Sequence, residues 1–218
     1  MKKQNIFCAF LSALLVTMTT HAASIKSTAS EKKFEEVTLT QTTHLEDGGT
    51  TTNLSTVSHG LRKKKVFGLV NVSVYVAEFL AAQPTRLAKT EENFINSFAD
   101  AQPVQLKLTM VRDLKGSDIS KAFQESLEAN KITSEKMAPE LKEILDEVKA
   151  IPEFKNKDVF SLIATFKDGK ATLHVQKPDG SIKSWTGSTI FVNQIFSIWF
   201  GTPSDPKLGD LKKTLMAL

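Results

Sequence analysis

Val104-Gln105-Leu106-Lys107-Leu108-Thr109-Met110-Val111-Arg112-Asp113-Leu114-Lys115-Gly116-Ser117-Asp118-Ile119-Ser120-Lys121-Ala122-Phe123 changes its hydrophobic period partway along. In its first part Val104, Leu106, Leu108 and Met110 alternate with Gln105, Lys107 and Thr109, the pattern of a strand. From Asp118 the spacing becomes helical, with Ile119, Ala122, Phe123, Ser126 and Leu127 on one face and Ser117 or Asp118 available as the N-cap. The class of fold turns on how many strands and helices stand on either side of this junction.

Upstream, Glu36 to Thr43 and Thr50 to Val57 are rich in Thr and Val and flank Asp47-Gly48-Gly49, which predicts a β-hairpin. Val66 to Leu80 carries the longest strand signal, with Val70, Val72, Val74 and Val76 on one face and Asn71, Ser73, Tyr75 and Ala77 on the other. Thr90 with Glu91 and Glu92 caps a short predicted helix bearing Phe94, Ile95 and Phe98, and Pro103 resets the chain.

Downstream, a second amphipathic helix carries Leu141, Ile144, Leu145 and Val148, with Pro139 in its first turn. Three strands follow, Phe160 to Phe166, Ala171 to Gln176 and Ile182 to Trp185, joined at Lys167-Asp168-Gly169 and Pro178-Asp179-Gly180. Ser188 to Phe200 is apolar on nearly every side, as a buried helix ended by Gly201 should be. A last helix follows Ser204-Asp205-Pro206 and carries Leu208, Leu211 and Leu215. Strands grouped early and late, with helices between and after, predict an α+β domain: a large antiparallel sheet with a layer of helices packed mainly on one face.

The amino-terminal residues read as an address. Lys2 and Lys3, the apolar run Ile6 to Val16 and Thr20-His21-Ala22-Ala23 make a signal peptide over residues 1–22, cleaved before Ala23, which implies export to the periplasm. The run is too short for a spanning helix, so no membrane span is expected after cleavage. Residues 23–33, polar and aperiodic, are expected to be a disordered leader, leaving 34–218 as one folded domain. The only cysteine, Cys8, leaves with the signal, so neither a disulfide nor a thiol nucleophile is expected in the mature chain. Loss of Lys2 and Lys3 lowers the net charge from +4 to +2, which argues against nucleic acid as the main partner.

Few motifs carry chemistry. His44, His59 and His174 have neither a neighbour at ligand spacing nor a nearby cysteine, so no metal is expected. Gly48-Gly49 is a turn rather than a phosphate cradle, no Gly-x-Ser-x-Gly elbow occurs, and no cofactor is implied. The concentrated charge is Arg62-Lys63-Lys64-Lys65, either a solvated entry to a strand or an attractor of anions such as a carboxylate or phenolate.

Three segments resemble the chalcone isomerase-like superfamily, and in particular its bacterial periplasmic branch. Gly60-Leu61-Arg62 before the strand ending Val72-Ser73-Val74-Tyr75 is similar to the family's opening Gly-x-Arg and Val-Tyr pair. Val104 to Phe123 resembles its strand, Leu-Thr-Gly-type turn and helix in order and spacing. Ser188-Thr189 through Ile198-Trp199-Phe200-Gly201 and Pro203 resembles the final helix of the bacterial members.

The resemblance implies a large antiparallel sheet under a layer of helices, with the ligand cleft between them. In the plant enzymes a hydroxychalcone phenolate attacks its own enone, and Arg62 matches the arginine that binds the oxyanion. Matching by the same motifs places Val70 where those enzymes carry a Thr, Ile119 where they carry the active-site Tyr, Ser126 at a substrate-binding Asn and Thr189 at a substrate-binding Thr or Ser.

Two hydroxyl donors near the ketone are thus replaced while the arginine stays. That pattern implies a non-catalytic binder of a small amphipathic or aromatic acid, a fatty acid or a phenolic, with Arg62 at the head group and Val70, Ile119, Phe123 and Ile195 along the tail. The alternatives are an intramolecular lyase (isomerase) of chalcone isomerase type, with Arg62 catalytic, and an envelope scaffold with a protein partner of unknown identity.

Overall fold

The computed structural model describes residues 23–66 and 70–217; the signal peptide read in residues 1–22 lies outside them. Eight strands run in chain order across one antiparallel sheet: β1 (Ser24–Phe34), β2 (Val37–Asp47), β3 (Thr50–Val66), β4 (Val70–Ala81), β5 (Val104–Met110), β6 (Val159–Lys167), β7 (Lys170–Gln176) and β8 (Ile182–Ser188). Between β4 and β5 lie the short turns α1 (Glu91–Phe94) and α2 (Phe98–Ala101). Between β5 and β6 come α3 (Gly116–Ala129) and α4 (Pro139–Ala150), and after β8 come α5 (Thr189–Phe200) and α6 (Pro206–Leu215). The α+β layering read from the sequence is the architecture observed.

The helices bury one face of the sheet. Tyr75, Ala77 and Phe79 of β4, Leu106, Leu108 and Met110 of β5, Phe160 and Leu162 of β6 and Leu173 of β7 point into a core shared with all the helices. At its centre α5 presents aromatic rings to the helical turns after β4: Phe200 packs 5.1 Å from Phe79 and from Phe94, and 5.7 Å from Phe98. This accounts for the all-round apolarity of α5, which is enclosed by α3 and α4 as well as by the sheet.

Residues 24–33 are not a disordered leader. They form β1, paired antiparallel to β2 from Ser24↔Glu46 to Phe34↔Val37 with two register shifts. The segment escapes a hydrophobic-pattern reading because backbone pairing holds it. Its apolar anchors are Ile25 and Phe34 at the two ends, and Ser27 bonds Thr43 hydroxyl to hydroxyl at 2.9 Å.

The sheet also curls over its own second face. Leu45 and Leu54 of the β2–β3 hairpin pack on Leu80 and Ile163, while Val37 and Leu39 cover Val76. Asp47 at the hairpin tip brings a carboxylate oxygen 3.5 Å from His174 Nε2 on β7. Under this cover Glu78, fully buried, accepts from the Thr40 amide at 2.5 Å and lies 3.3 Å from Lys107 Nζ, which donates to the Thr40 hydroxyl at 2.6 Å.

Candidate functional site

One end of β4 departs from the regular ladder. Tyr75 pairs with Arg62 and Ser73 with Lys63, so Val74 is an extra residue on β4, a β-bulge. The bulge breaks the alternation expected for Val70 to Val76: Val74 and Tyr75, adjacent in sequence, line the same cavity together with Val72, whereas Val76 joins the cluster on the far side of the sheet.

That cavity, of about 350 Å3, lies between β4, α3 and the start of α6. Its walls are apolar: Val72 and Val74 from β4, Leu114 ahead of α3, Ile119, Ala122 and Phe123 from α3, Ile198 from α5 and Leu208 from α6. Phe123 is braced edge-on against Trp199, with ring centroids 5.1 Å apart. The exposed residues Lys64, Arg112, Asp118, Lys121 and Glu125 form the rim.

Glycines allow two close packings around this end. At Gly116 a Cβ would meet the backbone carbonyl oxygens of Val148 and Ile151, so the first turn of α3 sits directly on the end of α4. At Gly60 a Cβ would come 2.8 Å from Leu211 Cδ1, which lets α6 lie on β3 two residues from Arg62. Ser58 ties the other end of α6, donating to the Leu215 carbonyl at 2.6 Å.

Arg62 is buried at the inner end. Its guanidinium donates to both carboxylate oxygens of Asp205 and to the Lys63 carbonyl. Asp205 is also the N-cap of α6, its Oδ1 accepting from the amides of Lys207 and Leu208 at 2.8 and 2.9 Å. Burial works to raise the Asp205 carboxyl, but the bonds from Arg62 and the two amides outweigh it and hold the pKa below the usual carboxylate range. Beside them the Tyr75 hydroxyl accepts from the Trp199 indole N–H at 2.9 Å. Burial pushes its phenol up against the opposing pull of the Arg62 charge, so it is neutral at physiological pH.

The short connection between α5 and α6 is fixed by side chains. Asn130 donates to the carbonyls of Ser126, Ser197 and Thr202 and accepts from the Thr202 amide at 2.6 Å. Ser126 bonds Ser204, hydroxyl to hydroxyl, at 3.1 Å.

Of the residues read from the sequence, Arg62, Ile119, Phe123 and Ser126 therefore meet in one cavity, and three do not join them. Val70 is 59 % exposed at the outer end of β4: it shares a face with Val72 and Val74, but the strand there runs past the edge of the cavity. Ile195 is fully buried among the core residues. Thr189 opens α5, nine residues and roughly 13 Å of helix from Ile198, the part of α5 that reaches the cavity. Tyr75 and Asp205 are the site residues missed. Asp205 carried a readable signal as a helix cap, but not as the partner of an arginine 143 residues away.

The family model for chalcone isomerase-like proteins matches residues 31–217, and the chain belongs to that family. No curated protein sequence matches. Among solved structures, a fatty-acid binding protein of Arabidopsis thaliana is similar at 20 % identity and a TM-score of 0.56, over 75 % of this chain and 86 % of the plant chain. At that identity the likeness is one of fold. Among the described residues no helix is long and apolar enough to cross a membrane, and no three His, Cys, Asp or Glu side chains gather as metal ligands would.

Proposed function

We propose that this protein is a non-catalytic binder of a small amphipathic acid, a fatty acid or a phenolic, held in the cavity between β4 and α3 with its head group toward Arg62 and Tyr75. The observation that carries the reading is the cavity itself: apolar along its length, with one buried guanidinium and one neutral phenol at its inner end. About 350 Å3 is near the lower limit of ligand pockets, roughly 300–1,000 Å3, which favours a medium acyl chain or a compact ring system over a long lipid. A fatty-acid binding protein that shares this fold supports the same reading. If residues 1–22 act as an export signal, binding takes place in the periplasm.

Of the two substitutions that weigh against an isomerase, Val70 lies outside the cavity and no longer counts, whereas Ile119 lines it and supplies an alkyl wall with no hydroxyl to donate. Calorimetric titration of delipidated protein with dodecanoate tests the proposal. Saturable one-to-one binding is expected, and it should be lost in Ala122→Phe, which fills the cavity from α3. No uptake by the wild type, or undiminished uptake by Ala122→Phe, would refute it. Rapid cyclisation of a 2′-hydroxychalcone by the same sample, abolished in Arg62→Ala, would establish the isomerase instead.

A further inference from the structure

We infer that Asp205 is a built-in competitor for the ligand's acid group: a carboxylate head reaches Arg62 by displacing Asp205, whose charge thereby sets the cavity's preference between acids and uncharged amphiphiles. The inference rests on the proposed reading of the cavity as a ligand site.

Asp205 engages Arg62 in the two-pronged manner that a free carboxylate would use. The arginine side chain is only 8 % exposed, so leaving it without a counter-charge costs stability, and a ligand that displaces Asp205 must bring a negative charge of its own. An alcohol or ester cannot do so and has to bind with the internal pair intact. Asp205, in contrast, can leave. Its side chain is 33 % exposed, and both capping bonds to α6 are made through Oδ1, whereas among the described residues Oδ2 is bonded by Arg62 alone.

Rotating the carboxylate off Arg62 therefore exchanges one ion pair for another without uncapping α6. Ser204 and Asn130 keep the backbone of the connection in place while the side chain moves. A ligand acid thus pays for the release of Asp205, and an alcohol of the same chain length does not.

The test compares dodecanoate and dodecanol in wild type, Asp205→Asn and Asp205→Ser, by titration at neutral pH. Asn and Ser both serve as helix caps, so α6 keeps its start while the competing charge is removed. Dodecanoate is expected to bind both variants roughly ten-fold or more tightly than wild type, the scale of one charge-assisted bond, with dodecanol changed by less than about two-fold. An unchanged preference for acid over alcohol, or equal weakening of both ligands, would overturn the competitor role while leaving the cavity as the binding site. If neither ligand binds any of the three proteins, the reading of the cavity falls, and this inference with it.

Discussion

Replacing Gly116 by Ala should destabilise the protein even though alanine is the better helix former. Gly116 is the first residue of α3, where the exchange gains at most about 1 kcal/mol in backbone propensity. Against this, the new methyl overlaps the carbonyl oxygens of Val148 and Ile151. Neither is a side chain that can rotate away, and the Val148 oxygen is further fixed by accepting from the Ile151 amide at 3.2 Å. The helices must separate, and such overpacking costs about 1–3 kcal/mol, occasionally more. A net loss of about 1–2 kcal/mol lowers the melting temperature by roughly 2–8 °C in a domain of this size. Because α3 carries Ile119, Phe123 and Ser126, the same displacement should weaken dodecanoate binding. Circular-dichroism melts of Gly116→Ala and of Ser117→Ala, an exposed neighbour in the same turn, separate propensity from collision. A Gly116→Ala protein melting at or above wild type would refute the close approach of α3 to α4.

Lys107→Met should cost about 3 kcal/mol in urea unfolding, because it strands the fully buried Glu78, whose Oε2 has, among the described residues, only the Lys107 charge beside it. Adding Glu78→Gln, which still accepts from the Thr40 amide, should recover most of that loss. Asn130→Ala removes four bonds to the backbone around the α5–α6 connection and should lower stability by about 1–3 kcal/mol and weaken acid binding, as measured by urea melts and titration. Burial depresses the His174 pKa against the opposing charge of Asp47, so the unfolded chain takes up that proton at a higher pH than the folded one. The resulting stability is present in full above the ordinary histidine value of about 6.5 and is lost as pH falls from there toward the folded pKa. Stability profiles between about pH 5 and 7 should therefore slope upward in wild type and flatten in His174→Gln.

The helix-facing half of the sheet was legible because its residues obey simple periods. Leu106, Leu108 and Met110 alternate as read, and α3, α4 and α5 lie where their apolar spacing puts them. The other half was not. β1 buries too little side chain to leave a hydrophobic trace, and polar residues that alternate with the core set on β4 to β7 lie under the curled side of the sheet, with Glu78, Gln105, Ser161 and His174 all buried. Within the site, Arg62, Ile119, Phe123 and Ser126 were reached by family resemblance, whereas Val70 lies two residues beyond Val72, past a cavity edge that is set by packing and that no residue type announces. Asp205 stands in the Ser-Asp-Pro that precedes the last helix, a local signal of a cap, but its second role is a contact between distant parts of the chain.

Several irregularities gather at one end of β4. From β4 to β8 the ladders run without a register shift, and the aromatic centre around Phe79, Phe98 and Phe200 is filled. The bulge at Val74, the cavity and the buried Arg62–Asp205 pair all lie at the opposite end of β4 from Phe79 and Ala81. Departures from local rules gathered in this way mark function more often than accident, because each has a cost that packing elsewhere must offset. Arginine is also the residue such a site needs. Its planar fork accepts a carboxylate from Asp205 or from a ligand with the same two bonds, and it stays charged while buried, whereas a lysine would lose both the match and, in part, its charge. A side-chain exchange at Arg62 then requires no moving lid, which agrees with a connection from α5 to α6 that is already tied down on both sides of Pro203.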